Sequence, residues 1–205
     1  MRSNPLPKSQ TDLQAKSIES AEFRRSDFIK AVPPELSKRE DEIEKRLASE
    51  NSSTRSKLRK IYHLMDELGH IRAPYIACAK GCSYCCKMNV KISQIEANII
   101  AEETGMQSKQ LPSSRSYKSD EFMGVPCVFL KEDTCSIYEI RPFVCRNHVS
   151  FDTTSYWCEP ENSMHAEMPM LAFSGLLDAY FNITKKDSGG VHADIRDFFL
   201  KFEEN

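Results

Sequence analysis

The sequence predicts an α+β fold, mostly α, in which amphipathic helices flank a small cysteine-rich metal-binding core with a short β-hairpin. Three observations point there. Apolar residues recur at helical spacing on both sides of the chain's middle. All eight cysteines lie between residues 78 and 158. Within that segment, two short apolar runs are separated by four polar residues, Lys131 to Thr134, which is hairpin length.

Residues 1–20 are polar and lack a period, so they are expected to form a disordered tail. Residues 21–34 carry Phe23, Phe28 and Ile29, and Pro33 and Pro34 end any helix there. Leu36, Ile43 and Leu47 share one helical face. Residues 51–54 interrupt the pattern and offer N-caps. Leu58, Ile61, Tyr62, Met65 and Leu68 then form a second stripe, with Gly69 where a terminating glycine belongs. Residues 21–70 therefore read as a helical N-terminal arm, packed as a hairpin in preference to serving as an arm for a protein partner.

Residues 71–160 read as the cysteine-cluster domain. Met88, Val90 and Ile92 alternate with Lys87, Asn89 and Lys91, as in a short half-buried strand. Ser93 and Glu96 form a capping box for a helix that Gly105 stops. Residues 106–121 are polar and form a surface loop. Residues 125–130 and 135–138 are the hairpin strands, which bring Cys127 near Cys135. Pro142 opens a short helix carrying Cys145. Cys158 follows in irregular chain beside the sole tryptophan, Trp157. In residues 161–205, two helices are expected to pack over this region. One stripe runs from Met168 to Tyr180, and the other comprises Val191, Ile195, Phe198, Phe199 and Phe202.

Lys and Arg total 28 against 30 Asp and Glu, a formal net charge of −2. That balance gives no electrostatic case for nucleic acid or for an anionic membrane. No run of about 18 apolar residues occurs, so no span is expected. The first residues lack the apolar region of a secretory signal, which makes a reducing cytoplasm the expected compartment. Thiols there read as metal ligands before they read as disulfides or buried free cysteines.

Thiolates are soft ligands, and four of them close around one soft or borderline metal. Cys78, Cys82, Cys85 and Cys86 supply the first half of such a set, and Cys127, Cys135, Cys145 and Cys158 supply the second. Gly81 permits a tight turn between the first ligands. Lys80 and Lys87 are placed to offset thiolate charge. Adjacent Cys85 and Cys86 point apart in most backbone conformations, so spacing alone does not sort the eight into sites. Structural zinc generally uses regular C-x2-C pairs, whereas ligands dispersed over several loops suit a [4Fe–4S] cluster somewhat better. His148 lies three residues after Cys145, but eight available thiols argue against its ligation. Arg141 and Arg146 are expected to pair with Glu139, cap carbonyls or compensate thiolate charge rather than bind substrate. Tyr138 and Trp157 read as packing. No phosphate-binding, dinucleotide-binding or hydrolase signature occurs.

The C-x3-C-x2-C spacing also occurs in radical S-adenosylmethionine enzymes, which require a much longer barrel. The full pattern is more specific: Cys78-x3-Cys82-x2-Cys85-Cys86, Cys127-Val-Phe-Leu, Cys135-Ser-Ile-Tyr-Glu, then Arg141-Pro142 and Cys145-Arg146. It resembles the YkgJ-like cysteine-cluster family, the CxxCxxCC zinc- or iron-chelating domain, over about residues 70–160. The resemblance implies metal or iron–sulfur binding without a settled biochemical activity. A similar cluster occurs in flagellin lysine N-methylase, which implies an alternative: an iron–sulfur enzyme using S-adenosylmethionine for methyl transfer. A zinc-stabilised protein-interaction module is the second alternative.

Overall fold

The computed structural model describes residues 8–199. It is mostly helical with two small antiparallel sheets. The first helix, α1 (Lys8–Ala31), begins inside the stretch expected to be a disordered tail; residues 1–7 lie outside the described residues. Its C-terminal half is docked. Phe28 is fully buried among the rings of Tyr75, Phe151 and Phe173, and Arg24 Nε donates to the carbonyls of Tyr75 and Phe151. The prolines end α1, as expected, and Pro34 opens α2 (Pro34–Ser49).

Leu36, Ile43 and Leu47 of α2 are buried. The next helix, α3 (Thr54–Arg72), is capped by the Ser53 hydroxyl, which accepts from Ser56 N. It runs one residue past Ile71 to Arg72 and passes straight through Gly69, which is an interior helical residue and not the stop. Tertiary packing of Leu68 and Arg72 outweighs the weak preference of one glycine to end a helix.

The expected strand over residues 87–92 is displaced and shorter: β1 is Lys91–Ser93. The capping box forms as read, with Ser93 and Glu96 satisfying each other at the start of α4 (Gln94–Thr104), and Gly105 ends it at φ 70°. The hairpin strands are only β2 (Leu130–Lys131) and β3 (Thr134–Cys135). They are joined by Glu132 and Asp133, both at positive φ as a primed two-residue turn requires. Pro142 caps α5 (Phe143–Asn147) rather than entering it. A single turn, α6 (Pro160–Ser163), follows.

Of the predicted stripe from Met168 to Tyr180, only the second half is helical, as α7 (Ser174–Lys185). It lies against α2 so closely that a Cβ on Gly175 would sit 2.0 Å from the Glu40 carbonyl oxygen. The last predicted helix is mostly something else. Residues 192–194 form β4 (His192–Asp194), which pairs antiparallel with β1 (Ile92 opposite Ala193), and only α8 (Ile195–Phe198) is helical. Phe202 lies outside the described residues. No helix among the described residues is long and apolar enough to cross a membrane.

Three packed cores result. One lies between α2, α3 and α7; one joins β1, α4, β4 and α8 to Cys86, Cys127, Phe129 and Ile137; one seats α1 on Val149 and Phe151. The first two are tied through Glu96, which is 2% exposed. Its carboxylate accepts from Ser93 N and Ser93 Oγ (both 2.8 Å), Tyr62 OH (2.6 Å), Tyr180 OH (2.6 Å) and Phe143 N (2.7 Å). Burial holds both phenols well above the ordinary tyrosine range, so they remain donors.

Glu96→Gln replaces an acceptor oxygen by a donor among buried donors. A loss on the order of 3 kcal/mol is expected in urea unfolding, since hydrogen bonds to charged groups are worth about 1.5–3 kcal/mol each. Gly175→Ala should cost about 1–3 kcal/mol by forcing α7 away from α2; an unchanged urea midpoint would contradict the close approach.

Candidate metal centre

The first cysteines sit on a loop and a single turn. Gly81 takes φ +100° between Cys78 and Cys82, the conformation expected of it. Cys85 and Cys86 occupy one 3-10 turn, Tyr84–Lys87, and their thiols hydrogen bond to each other. Cys127 precedes β2, Cys135 ends β3, Cys145 lies on α5, and Cys158 closes the turn Tyr156–Cys158.

Two seams bring the halves together. At one, Cys127 N donates to Cys86 O at 2.7 Å. Arg196 reinforces it by donating to the carbonyls of Cys86, Val125 and Pro126 while paired with fully buried Asp194. At the other, Ala77 N donates to Ser150 O at 2.9 Å, and Ser150 N donates to Cys78 Sγ at 3.3 Å.

All eight thiols are free, and none is exposed. Cys78, Cys82 and Cys158 are electrostatic neighbours of one another and of Cys85. Cys86, Cys127, Cys135 and Cys145 form a second neighbourhood, which also reaches Cys85. Cys85 and Cys86 diverge: Cys85 lines a chamber of about 580 Å³ with Cys78, Cys82 and Cys145, while Cys86 joins the apolar core with Cys127.

Burial pushes the thiols of Cys78, Cys82 and Cys145 up, Cys127 to about 11 and Cys158 to about 12. Cys86 is also raised, because its proton is shared with Cys135 and Cys85. Those hydrogen bonds lower Cys85 to about 7 and Cys135 to about 6. Metal uptake therefore has to displace protons. Among the described residues, no group of three or more His, Cys, Asp or Glu side chains already stands in a metal-holding arrangement. The sulfurs are gathered but not closed. In donor type they fit a soft or borderline metal.

The neighbouring charges differ in part from expectation. Lys80 and Lys87 do not face the thiols as counter-ions; they pair with Glu139 (3.0 Å) and Asp133 (3.1 Å). Arg146 caps carbonyls, as expected: Nε donates to Arg141 O and Nη2 to Glu139 O, both at 2.7 Å, and it pairs with Asp66. The Arg141 guanidinium stacks 3.6 Å from the Tyr138 ring centroid. His148 borders the chamber, and burial lowers its pKa. Trp157 is buried, in keeping with a packing role.

Arg72 was missed in the sequence. It is 6% exposed, lines the chamber and neighbours Cys78. The signal was present, because Arg72 falls four residues after Leu68 on the apolar face of α3.

Residues 77–161 match the CxxCxxCC family. The family is described as a "putative zinc- or iron-chelating domain". The CxxCxxCC match spans every cysteine and both thiol neighbourhoods, and ends short of α1–α3 and α7. No curated protein and no solved structure matches the chain.

Cys82→Ser is expected to lower bound metal and to loosen the CxxCxxCC segment, since binding and folding are coupled in so small a core. Metal analysis with far- and near-ultraviolet circular dichroism checks both; spectra matching the unmodified protein would refute the coupling.

Proposed function

We propose that this chain is a metal-binding protein whose cysteines, Cys78, Cys82, Cys85, Cys86, Cys127, Cys135, Cys145 and Cys158, are the ligands, and that the metal is held as iron–sulfur in preference to zinc. The observation that carries the reading is that two backbone seams hold together the two separated parts of the chain that carry eight free thiols, none of them exposed. The match to a zinc- or iron-chelating family supports the metal.

Two features support iron–sulfur. The sulfurs come from loops, single turns, a hairpin and a helix, rather than from paired C-x2-C knuckles. The chamber beside Cys78, Cys82, Cys85 and Cys145, at about 580 Å³, is far larger than one four-coordinate ion needs. A bound cluster supplies one-electron chemistry or structural cross-linking. The chain's own part is to hold the thiols together and to limit water around Cys86 and Cys127, which are buried. No observation favours the methyl-transfer alternative.

Protein purified without air should be brown, absorb near about 400 nm, and contain iron and acid-labile sulfide in similar amounts. Colourless protein with stoichiometric zinc would overturn the iron–sulfur assignment. Protein that takes up neither would overturn metal binding.

A further inference from the structure

We infer that Arg72 and Arg141 are the counter-cations of the metal centre, positioning residues that neutralise its thiolates from the chamber wall. The inference rests on the metal-binding reading and adds residues that no ligand spacing picks out.

The charge pattern of the wall is uneven. Its other charged side chains have partners: Asp66 pairs with Arg146, and Glu139 with Lys80. Arg72 and Arg141 pair with no carboxylate among the described residues. Arg72 Nη2 donates to Arg146 O at 2.9 Å, but its Nε is buried without a partner. Arg141 Nε is likewise buried and unpartnered. The Arg141 guanidinium stacks on the Tyr138 ring, its charge reaches the Glu139 carboxylate that Lys80 already pairs with, and it opposes that of Arg72. A cation as buried as Arg72 is costly to keep without an anion, and so is the buried, unpartnered Nε of half-buried Arg141.

The sulfurs are the candidate anions. Arg72 and Arg141 line the same chamber as Cys78, Cys82, Cys85 and Cys145. Were the chamber's four cysteines to hold one dication, the site would be doubly negative, and the two guanidiniums on its wall would match that charge. Outer partners of this kind hold a metal by favouring the charged form of its ligands.

Arg141 gives the cleaner test, because its side chain makes no hydrogen bond among the described residues and its replacement removes charge above all. Zinc(II) affinity of the full chain is measured by chelator competition for the unmodified protein, Arg141→Met and Arg141→Lys. Circular dichroism monitors the fold. The expected result is an affinity about 10- to 100-fold weaker for Arg141→Met, with recovery in Arg141→Lys. Equal affinity for Arg141→Met and the unmodified protein overturns the counter-cation role while leaving metal binding intact. Equal weakening in both variants also overturns it, since that marks a role of shape and not of charge. Should Arg141→Met fail to fold, Arg72→Met and Arg72→Lys make the same comparison on the Cys78 side. Failure of the unmodified protein to take up zinc or an iron–sulfur cluster would instead refute the underlying metal reading.

Discussion

The fold depends on one buried carboxylate. Glu96, on α4, collects donors from α3, α5 and α7, and from the residue that caps α4. A carboxylate out of water is unstable unless its lone pairs are met, and here five donors meet them. That requirement fixes where α5 starts, because Phe143 N is one of the donors. The position of α5 sets the position of Cys145. The helical scaffold and the thiol chamber are therefore coupled through a single acid, and not only through apolar packing between Phe143 and Tyr180, whose rings stack at 4.4 Å.

A second polar tie works on the other side of the thiols. Asp194 accepts from Val90 N at 2.7 Å, caps α8 through Arg196 N, and orients the Arg196 side chain toward the carbonyls near Cys86 and Cys127. The result is a rigid back wall behind Cys86 and a more open front beside Cys85. Adjacent residues in sequence thereby face different surroundings. One is embedded among Phe129, Ile137 and Val191, and the other borders space that a ligand or solvent can enter.

Local signals were legible where a short stretch carries its own solution. The capping box at Ser93 and Glu96 needs only four residues, and the apolar faces of α2 and α3 need only a helical period. The cysteine spacing was legible because a run of thiols at short intervals is a common ligand pattern. What was hidden depends on distant partners. The apolar pattern that starts at Val191 reads as helix, yet residues 192–194 pair with β1 about a hundred residues earlier. Residues 8–20 show no apolar stripe, and their helix continues one that Phe28 and Arg24 anchor. Arg72 drew no reading from the sequence, because its neighbours come from the chamber.

The seams between Cys86 and Cys127, and between Cys78 and Ser150, have a consequence for synthesis. The first four thiols emerge from the ribosome well before their partners, and Tyr180, which closes the grip on Glu96, emerges later still. For that interval the nascent chain displays reduced sulfur with nothing to shield it, and contacts so distant along the chain form slowly. The set of donors on Glu96, and with it the seat of α5 and Cys145, is thus complete only in the nearly finished polypeptide.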